Sequence, residues 1–198
     1  LKEKNHFLTI FETFLNQSFD RQINGISIDS RNIEKNDLFI AIKGENFDGN
    51  DFVEQALQNG ASYTLSNNKH ESPHHLFVED LHAFIKELSI SWLKSFNGKI
   101  IGITGSNGKT TTKDLIAHLL QSKFKVEKTL GNYNTSISVP LSIFSFSLDS
   151  EMYVLELGAN KDGDIEAYYY SADWKDVTRN TKLKRFPVFG SGAQNEIF

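Results

Sequence analysis

An α/β fold in two parts, a small α/β domain followed by the beginning of a phosphate-loop domain with a mostly parallel sheet, is predicted by three observations. Residues 99–120 read as strand, glycine loop and helix: Ile100, Ile101 and Ile103 run into Thr104-Gly105-Ser106-Asn107-Gly108-Lys109-Thr110-Thr111, and Leu115, Ile116, Leu119 and Leu120 follow on one helical face. Before this stretch, short apolar runs alternate with amphipathic segments, the pattern of strands and helices taking turns. After it, Met152-Tyr153-Val154-Leu155 is a buried-type strand that ends in Glu156-Leu157-Gly158-Ala159-Asn160.

The elements follow in order. Residues 3–17 place Phe7, Leu8, Phe11, Phe14 and Leu15 at helical spacing, an aromatic core stripe. Ile23, Ile26 and Ile28 mark a short strand, Asp29-Ser30-Arg31 a polar turn, and Leu38 to Ile42 a second strand. The loop Lys43-Gly44-Glu45-Asn46-Phe47-Asp48-Gly49 offers one aromatic among glycines and polar groups. It suits either a flat heterocycle stacked on Phe47 or a plain turn with a buried Phe. A capped helix from Asn50, with Phe52, Val53, Ala56 and Leu57 on one face, stops at Gly60. Strands at 61–65 and 76–78 flank a loop with His70, His74 and His75, where Pro73 breaks any helix that would align them as metal ligands, so a solvated loop is expected. Leu81, Phe84, Ile85, Leu88, Trp92 and Leu93 make a further helix ending near Gly98, the expected boundary between a domain of residues 1–98 with a small mixed sheet and a second of residues 99–165. Beyond the glycine-loop helix come a strand near 124–127, the turn Gly131-Asn132-Tyr133-Asn134-Thr135, and a short helix opened by Val139-Pro140-Leu141.

The chemistry sits at two points. Backbone N–H groups of the glycine loop, with the positive end of a helix dipole behind them, form a cradle for phosphate oxygens. Lys109 is placed to reach the terminal phosphates, and the Thr110 hydroxyl to sit on the accompanying Mg²⁺. The longer form of the motif has a glycine where this chain has Ile103, so the match is to Gly105-x-x-Gly108-Lys109-Thr110. In such a fold an acidic residue at the carboxyl end of a neighbouring strand holds the metal, and Glu156 occupies that place.

Composition excludes several classes. With 198 residues, 39% of them hydrophobic, the chain can bury one large core or two small ones. A formal charge of -4 without a basic stripe argues against nucleic acid as the partner. The absence of cysteine rules out a disulfide scaffold, and no apolar run reaches membrane-span length; a cytoplasmic protein is the expectation. The first residues lack a signal-type cleavage region, in keeping with the cytoplasmic expectation, and a chain opening on Leu1 instead of Met raises the expectation of a missing or non-standard start.

In order and spacing, Asp29-Ser30-Arg31, Asp37-Leu38-Phe39-Ile40-Ala41, the loop 44–49, TGSNGKTTT, GNYN and ELGAN resemble the Mur ligases of peptidoglycan synthesis over about residues 20–165. ELGAN and the 44–49 loop are most similar to the member that joins D-alanyl-D-alanine to a UDP-muramoyl tripeptide. The resemblance implies an ATP- and Mg²⁺-dependent amide ligase that phosphorylates the tripeptide carboxylate and lets the dipeptide amine attack the acyl phosphate. It implies that Ser30, Arg31, Lys43, Gly44, Asn46, Phe47, Asp48 and Gly49 hold the UDP-sugar. Gly105, Ser106, Asn107, Gly108, Lys109, Thr110 and Thr111 would hold ATP, with Thr110 and Glu156 on the metal. Lys109, Asn134 and Thr135 would stand nearest the reacting groups. Clustered anions would be offset by Lys109 and the metal.

Residues 166–198 depart from the family pattern, so the expectation is a truncated member with little ligation activity of its own. Tyr168, Tyr169, Tyr170 and Trp174 would either cap an exposed sheet edge or belong to a disordered or non-native tail. A non-catalytic nucleotide or UDP-sugar binding protein is the alternative of a different class. A small kinase or folate-type ligase is disfavoured by the 29–49 region. Oligomeric state is not legible.

Overall fold

The computed structural model describes residues 1–44 and 47–158, which form two compact units divided within a helix, Leu1–Ser89 and from Ile90 onward. In the first, α1 (Lys4–Leu15) is followed by β1 (Gly25–Ser27), β2 (Asp37–Ile40), α2 (Val53–Gln58), β3 (Tyr63–Ser66), β4 (His75–Phe77) and α3 (Leu81–Lys94), whose last turn opens the second unit. The strands lie in the order β1-β2-β3-β4, every pair parallel. The expected mixed sheet is therefore corrected to a parallel one. Each connection returns the chain to the same end of the sheet, and the antiparallel component among the described residues is one isolated bridge, Lys43 to Asp48.

Parallel strands are covered on both faces, and β2 and β3 are buried at every position. One face packs Phe39, Ala41, Val53, Ala56 and Ala61. The aromatic stripe of α1 serves the core through Phe7 and Phe11, whose rings stack at 5.5 Å, and Phe11 meets Phe84 edge-on at 6.0 Å. Phe14 lies at the rim, 36% exposed. The helix expected from Asn50 begins instead as a 3-10 turn at Gly49–Phe52, because Asp48 caps it by accepting from the Asn50 N–H. His75 is not part of a solvated loop. It lies half-buried on β4, with Nδ1 2.8 Å from Thr64 Oγ1 and Nε2 2.8 Å from the Asn68 carbonyl, and burial lowers its pKa.

The second unit has β5 (Lys99–Ile103), α4 (Lys109–Leu120), β6 (Val126–Lys128), α5 (Ser138–Ser145) and β7 (Met152–Glu156). Its described strands run parallel in the order β5-β7-β6. β7, buried at every position, is the middle strand and brings Glu156 level with Ile103, the last residue before the glycine loop. The core under α4 consists of Ile103, Ala117 and Val154 with Ile101, Ile116, Leu120 and Val126 around it. The helical face differs from the expected one: Leu115 and Leu119 are 57% and 63% exposed, whereas Lys113 and Ala117 are fully buried. The two neighbouring apolar pairs 115/116 and 119/120 cover too wide an arc for one sheet contact, and the stripe 113, 116, 117, 120 prevails. No helix is long and apolar enough to cross a membrane among the described residues. Glu45, Asn46, Ala159 and Asn160, the rest of the expected domain to residue 165 and the tail 166–198 lie outside them.

Candidate functional site

The glycine loop leaves β5 at Ile103 and enters α4 at Lys109. Gly108 precedes the helix with φ +75°, a left-handed conformation that a Cβ would strain, and no side chain caps the first turn. The first amide donors of a helix have no intrahelical partner and can serve an outside acceptor. Lys109 folds back over the loop, its Nζ donating to the Gly105 carbonyl at 2.8 Å. Ser106, Asn107 and Thr111 are exposed around this turn.

Thr110 points across to β7. Its hydroxyl donates to Glu156 Oε2 at 2.8 Å, and the Asn134 amide donates to the other oxygen, Oε1, at 2.8 Å. Glu156 is 1% exposed, and its own N–H donates to Thr129 Oγ1 at 3.0 Å. Three segments distant in sequence thus meet on one carboxylate. Gly158 makes the meeting possible: its N–H donates to the Asn134 carbonyl at 2.8 Å, and a Cβ at 158 would stand 2.6 Å from that oxygen. Thr135 does not join the group. Its side chain exchanges hydrogen bonds with Ser138 at the entrance to α5. A carboxylate beside a threonine hydroxyl supplies the hard oxygen donors that Mg²⁺ takes, so the residues present fit such an ion.

Lys113 escaped the sequence reading. Fully buried, it donates from Nζ to the Gly131 carbonyl and stands 3.6 Å from Glu156 Oε2 and 3.7 Å from Asp114 Oδ1. Its signal was the spacing 113, 116, 117, 120, an inward stripe whose first member is a lysine. Asp114 is held below the usual carboxylate range, chiefly by its 2.7 Å hydrogen bond from Lys128.

The loops of the first unit are built differently. Asp29 accepts from the Arg31 backbone N–H and from Nε and Nη2 of the same guanidinium at 2.9 and 2.8 Å. This pair holds the Asp29 carboxyl at about 2, and the Arg31 side chain remains 80% exposed. Ser30 is buried, its hydroxyl donating to Gln55 Oε1 at 2.9 Å. Gly44 N–H donates to the Phe47 carbonyl, closing the 43–49 loop, and Gly49 N–H donates to the Ile42 carbonyl. Lys43 Nζ lies 3.9 Å from Asp48, whose carboxyl is lowered by its bonds from Asn50. Phe47 is 74% exposed, which removes the buried-Phe alternative. Asn46 lies outside the described residues.

A parallel sheet, a glycine loop at the end of one strand and a buried glutamate at the end of its neighbour define a phosphate-loop α/β protein. Two family descriptions match the sequence: the catalytic domain of the Mur ligase family over residues 22–89 and the Mur ligase middle domain over residues 103–175. The chain belongs to the Mur ligase family. It is 38% identical over 159 residues to UDP-N-acetylmuramoyl-tripeptide--D-alanyl-D-alanine ligase of Bacillus subtilis, covering 78% of this chain and 35% of that one. The corresponding ligase of Escherichia coli is 32% identical over 150 residues. Among solved structures, MurF ligase from Thermotoga maritima in complex with ADP superimposes with a TM-score of 0.69 at 38% identity, over 75% of this chain and 35% of that one. MurF from Acinetobacter baumannii superimposes with a TM-score of 0.75 at 29% identity, over 83% and 38%. The chain spans about a third of the length of the curated relatives it matches.

Proposed function

We propose that this chain carries the UDP-sugar-binding part and the first portion of the ATP-binding part of a ligase that joins D-alanyl-D-alanine to UDP-N-acetylmuramoyl tripeptide in the cytoplasm, residues 1–98 and 99–165 respectively. The observation that carries the reading is the convergence of Thr110, Asn134 and Glu156 at the open end of α4. Relatives that carry this ligase name, and the ADP-bound MurF structure among its neighbours, support it.

In the overall reaction the substrate carboxylate takes the γ-phosphoryl group and releases ADP. The amine then attacks the acyl carbon, and phosphate leaves. Gly105, Ser106, Asn107, Gly108 and Thr111 would cradle the nucleotide phosphates through backbone and side-chain donors. Lys109 would leave the Gly105 carbonyl for a phosphate oxygen, a far stronger acceptor. Mg²⁺, held by Thr110 and Glu156, would neutralise charge that builds up on the transferred phosphoryl group. Asn134 would keep Glu156 aimed, and Thr135 would fix the loop at the start of α5. In the first unit Arg31 is the exposed cation for a diphosphate, set by Asp29 and by the buried Ser30 turn. Phe47 would stack on the uracil, with Lys43, Gly44, Asn46, Asp48 and Gly49 shaping its loop.

Calorimetric titration of the chain with UDP-N-acetylmuramoyl tripeptide and with Mg-ATP tests this. Binding of the UDP-sugar lost in Arg31→Ala, and nucleotide binding lost in Lys109→Ala, is the expected result. Little or no ligation is expected from this chain alone, since its 159 matched residues cover 35% of the Bacillus subtilis relative. Nucleotide binding without any affinity for the UDP-sugar would favour a different phosphate-loop activity.

A further inference from the structure

Lys113 is a cation with no exposed surface, on the helix that the glycine loop opens. A buried ammonium is retained only where acceptors and opposite charge surround it. Here its hydrogen bond goes to the carbonyl of Gly131, and the carboxylates of Glu156 and Asp114 stand at 3.6 and 3.7 Å. Gly131, at φ +50°, opens the turn that delivers Asn134, and Asn134 holds Glu156 Oε1. Thr110, one helical turn before Lys113, holds Oε2. The contacts close a ring: α4 to Glu156 through Thr110, Glu156 to the 131–134 turn through Asn134, and that turn back to α4 through Lys113.

We propose that Lys113 is a positioning residue for the phosphate site, locking the 131–134 turn and supplying the positive charge that keeps Glu156 in a single orientation toward Thr110. The inference rests on the nucleotide reading given above. Lys113 is fully buried and touches Glu156 and the 131–134 turn, so its loss should affect the metal-dependent part of nucleotide binding and spare the part that the glycine loop provides.

The test is titration of the chain with ADP up to millimolar concentration, once with Mg²⁺ and once with EDTA, for wild type, Lys113→Met, Glu156→Gln and the double variant. Lys113→Met is expected to reduce the Mg²⁺-dependent gain in affinity at least tenfold while changing ADP affinity in EDTA less than threefold. The double variant is expected to be no worse than Glu156→Gln alone. Equal loss with and without Mg²⁺, or no loss, overturns the inference and leaves the nucleotide reading standing. Failure of wild type to bind ADP under either condition overturns both. If Lys113→Met does not fold, a folded double variant supports the inference, because neutralising both members removes the orphaned charge. Failure of both variants to fold overturns it, since Lys113 would then be acting as packing.

Discussion

The two units prepare their candidate ligand groups in opposite ways. In the second, Glu156 and Lys113 are buried, and Glu156 is fixed by partners far along the chain, Thr110 46 residues away and Asn134 22. In the first, Arg31 is tied to Asp29 two residues away, and its side chain is 80% exposed. Phe47 stands 74% exposed. The difference teaches that the proposed phosphate end is organised by the fold itself, at a cost in desolvation that long-range contacts help to offset. The proposed sugar end is organised by short turns that leave the Arg31 and Phe47 side chains open. Mutations of these candidate ligand groups should therefore cost stability in the second unit and largely spare it in the first.

The largest effect is expected from Glu156→Ala. It removes the carboxylate beside a fully buried ammonium, and breaking one member of a buried pair typically costs about 3 kcal/mol or more. Urea unfolding followed by far-ultraviolet circular dichroism reads this. A loss under about 1 kcal/mol, the range of an exposed pair, would show that Lys113 finds water and that the contrast between the units is overstated. Asn134→Ala comes next. It leaves Oε1 of Glu156 without the donor seen here, and a buried acceptor left unmet costs about 1–2 kcal/mol. If Glu156 and Asn134 act as one group, the double variant should fall short of the sum of the two.

Much of this was legible from local patterning. The strand, glycine loop and helix at 99–120 are announced by a run of isoleucines, two glycines and an apolar periodicity, all within one stretch of chain. The position of Glu156 followed from where a buried-type strand must end. What was not legible depended on contacts across the sequence. Lys113 reads as a solvated charge until the sheet is placed under α4, and Leu115 and Leu119 read as core until it is known which arc the sheet covers. The parallel sense of the first sheet was equally hidden. Short strands joined by loops or a short helix long enough to cross over suit either direction, and only the pairings of β1 through β4 decide it. His75 belongs here too, since its partner Thr64 comes from the adjacent strand.

A smaller effect sharpens the comparison from inside the first unit. Nε2 of His75 faces the Asn68 carbonyl, so it carries the proton, and neutral Nδ1 accepts from Thr64. Burial lowers the pKa of this imidazole from the ordinary 6.5. The unfolded chain thus takes up a proton first as pH falls. The stability contributed by neutral His75 is present above about 6.5 and is lost progressively below it, down to the folded pKa. His75→Gln should flatten the unfolding midpoint between pH 7 and 5; an unchanged slope would mean the ring is solvated in the folded state.

The smallest effect on stability is expected from Arg31→Ala. Hydrogen bonds from the guanidinium, then from the Arg31 backbone, hold the Asp29 carboxyl at about 2. A carboxyl depressed in the folded state adds stability that is present above its unfolded pKa, near 4, and is lost as pH falls toward 2. Both groups are open to solvent, however, so screening leaves that contribution slight. Arg31→Ala should therefore leave the neutral-pH urea midpoint in place while the Asp29 carboxyl, followed by carbon NMR, rises toward the ordinary range. The rise should be incomplete, because the backbone N–H of residue 31 still donates to Asp29. A midpoint that falls as far as in Asn134→Ala would mean that the Asp29–Arg31 turn is structural, and the proposed division between a fold-organised phosphate end and an open sugar end would fail at its sugar side.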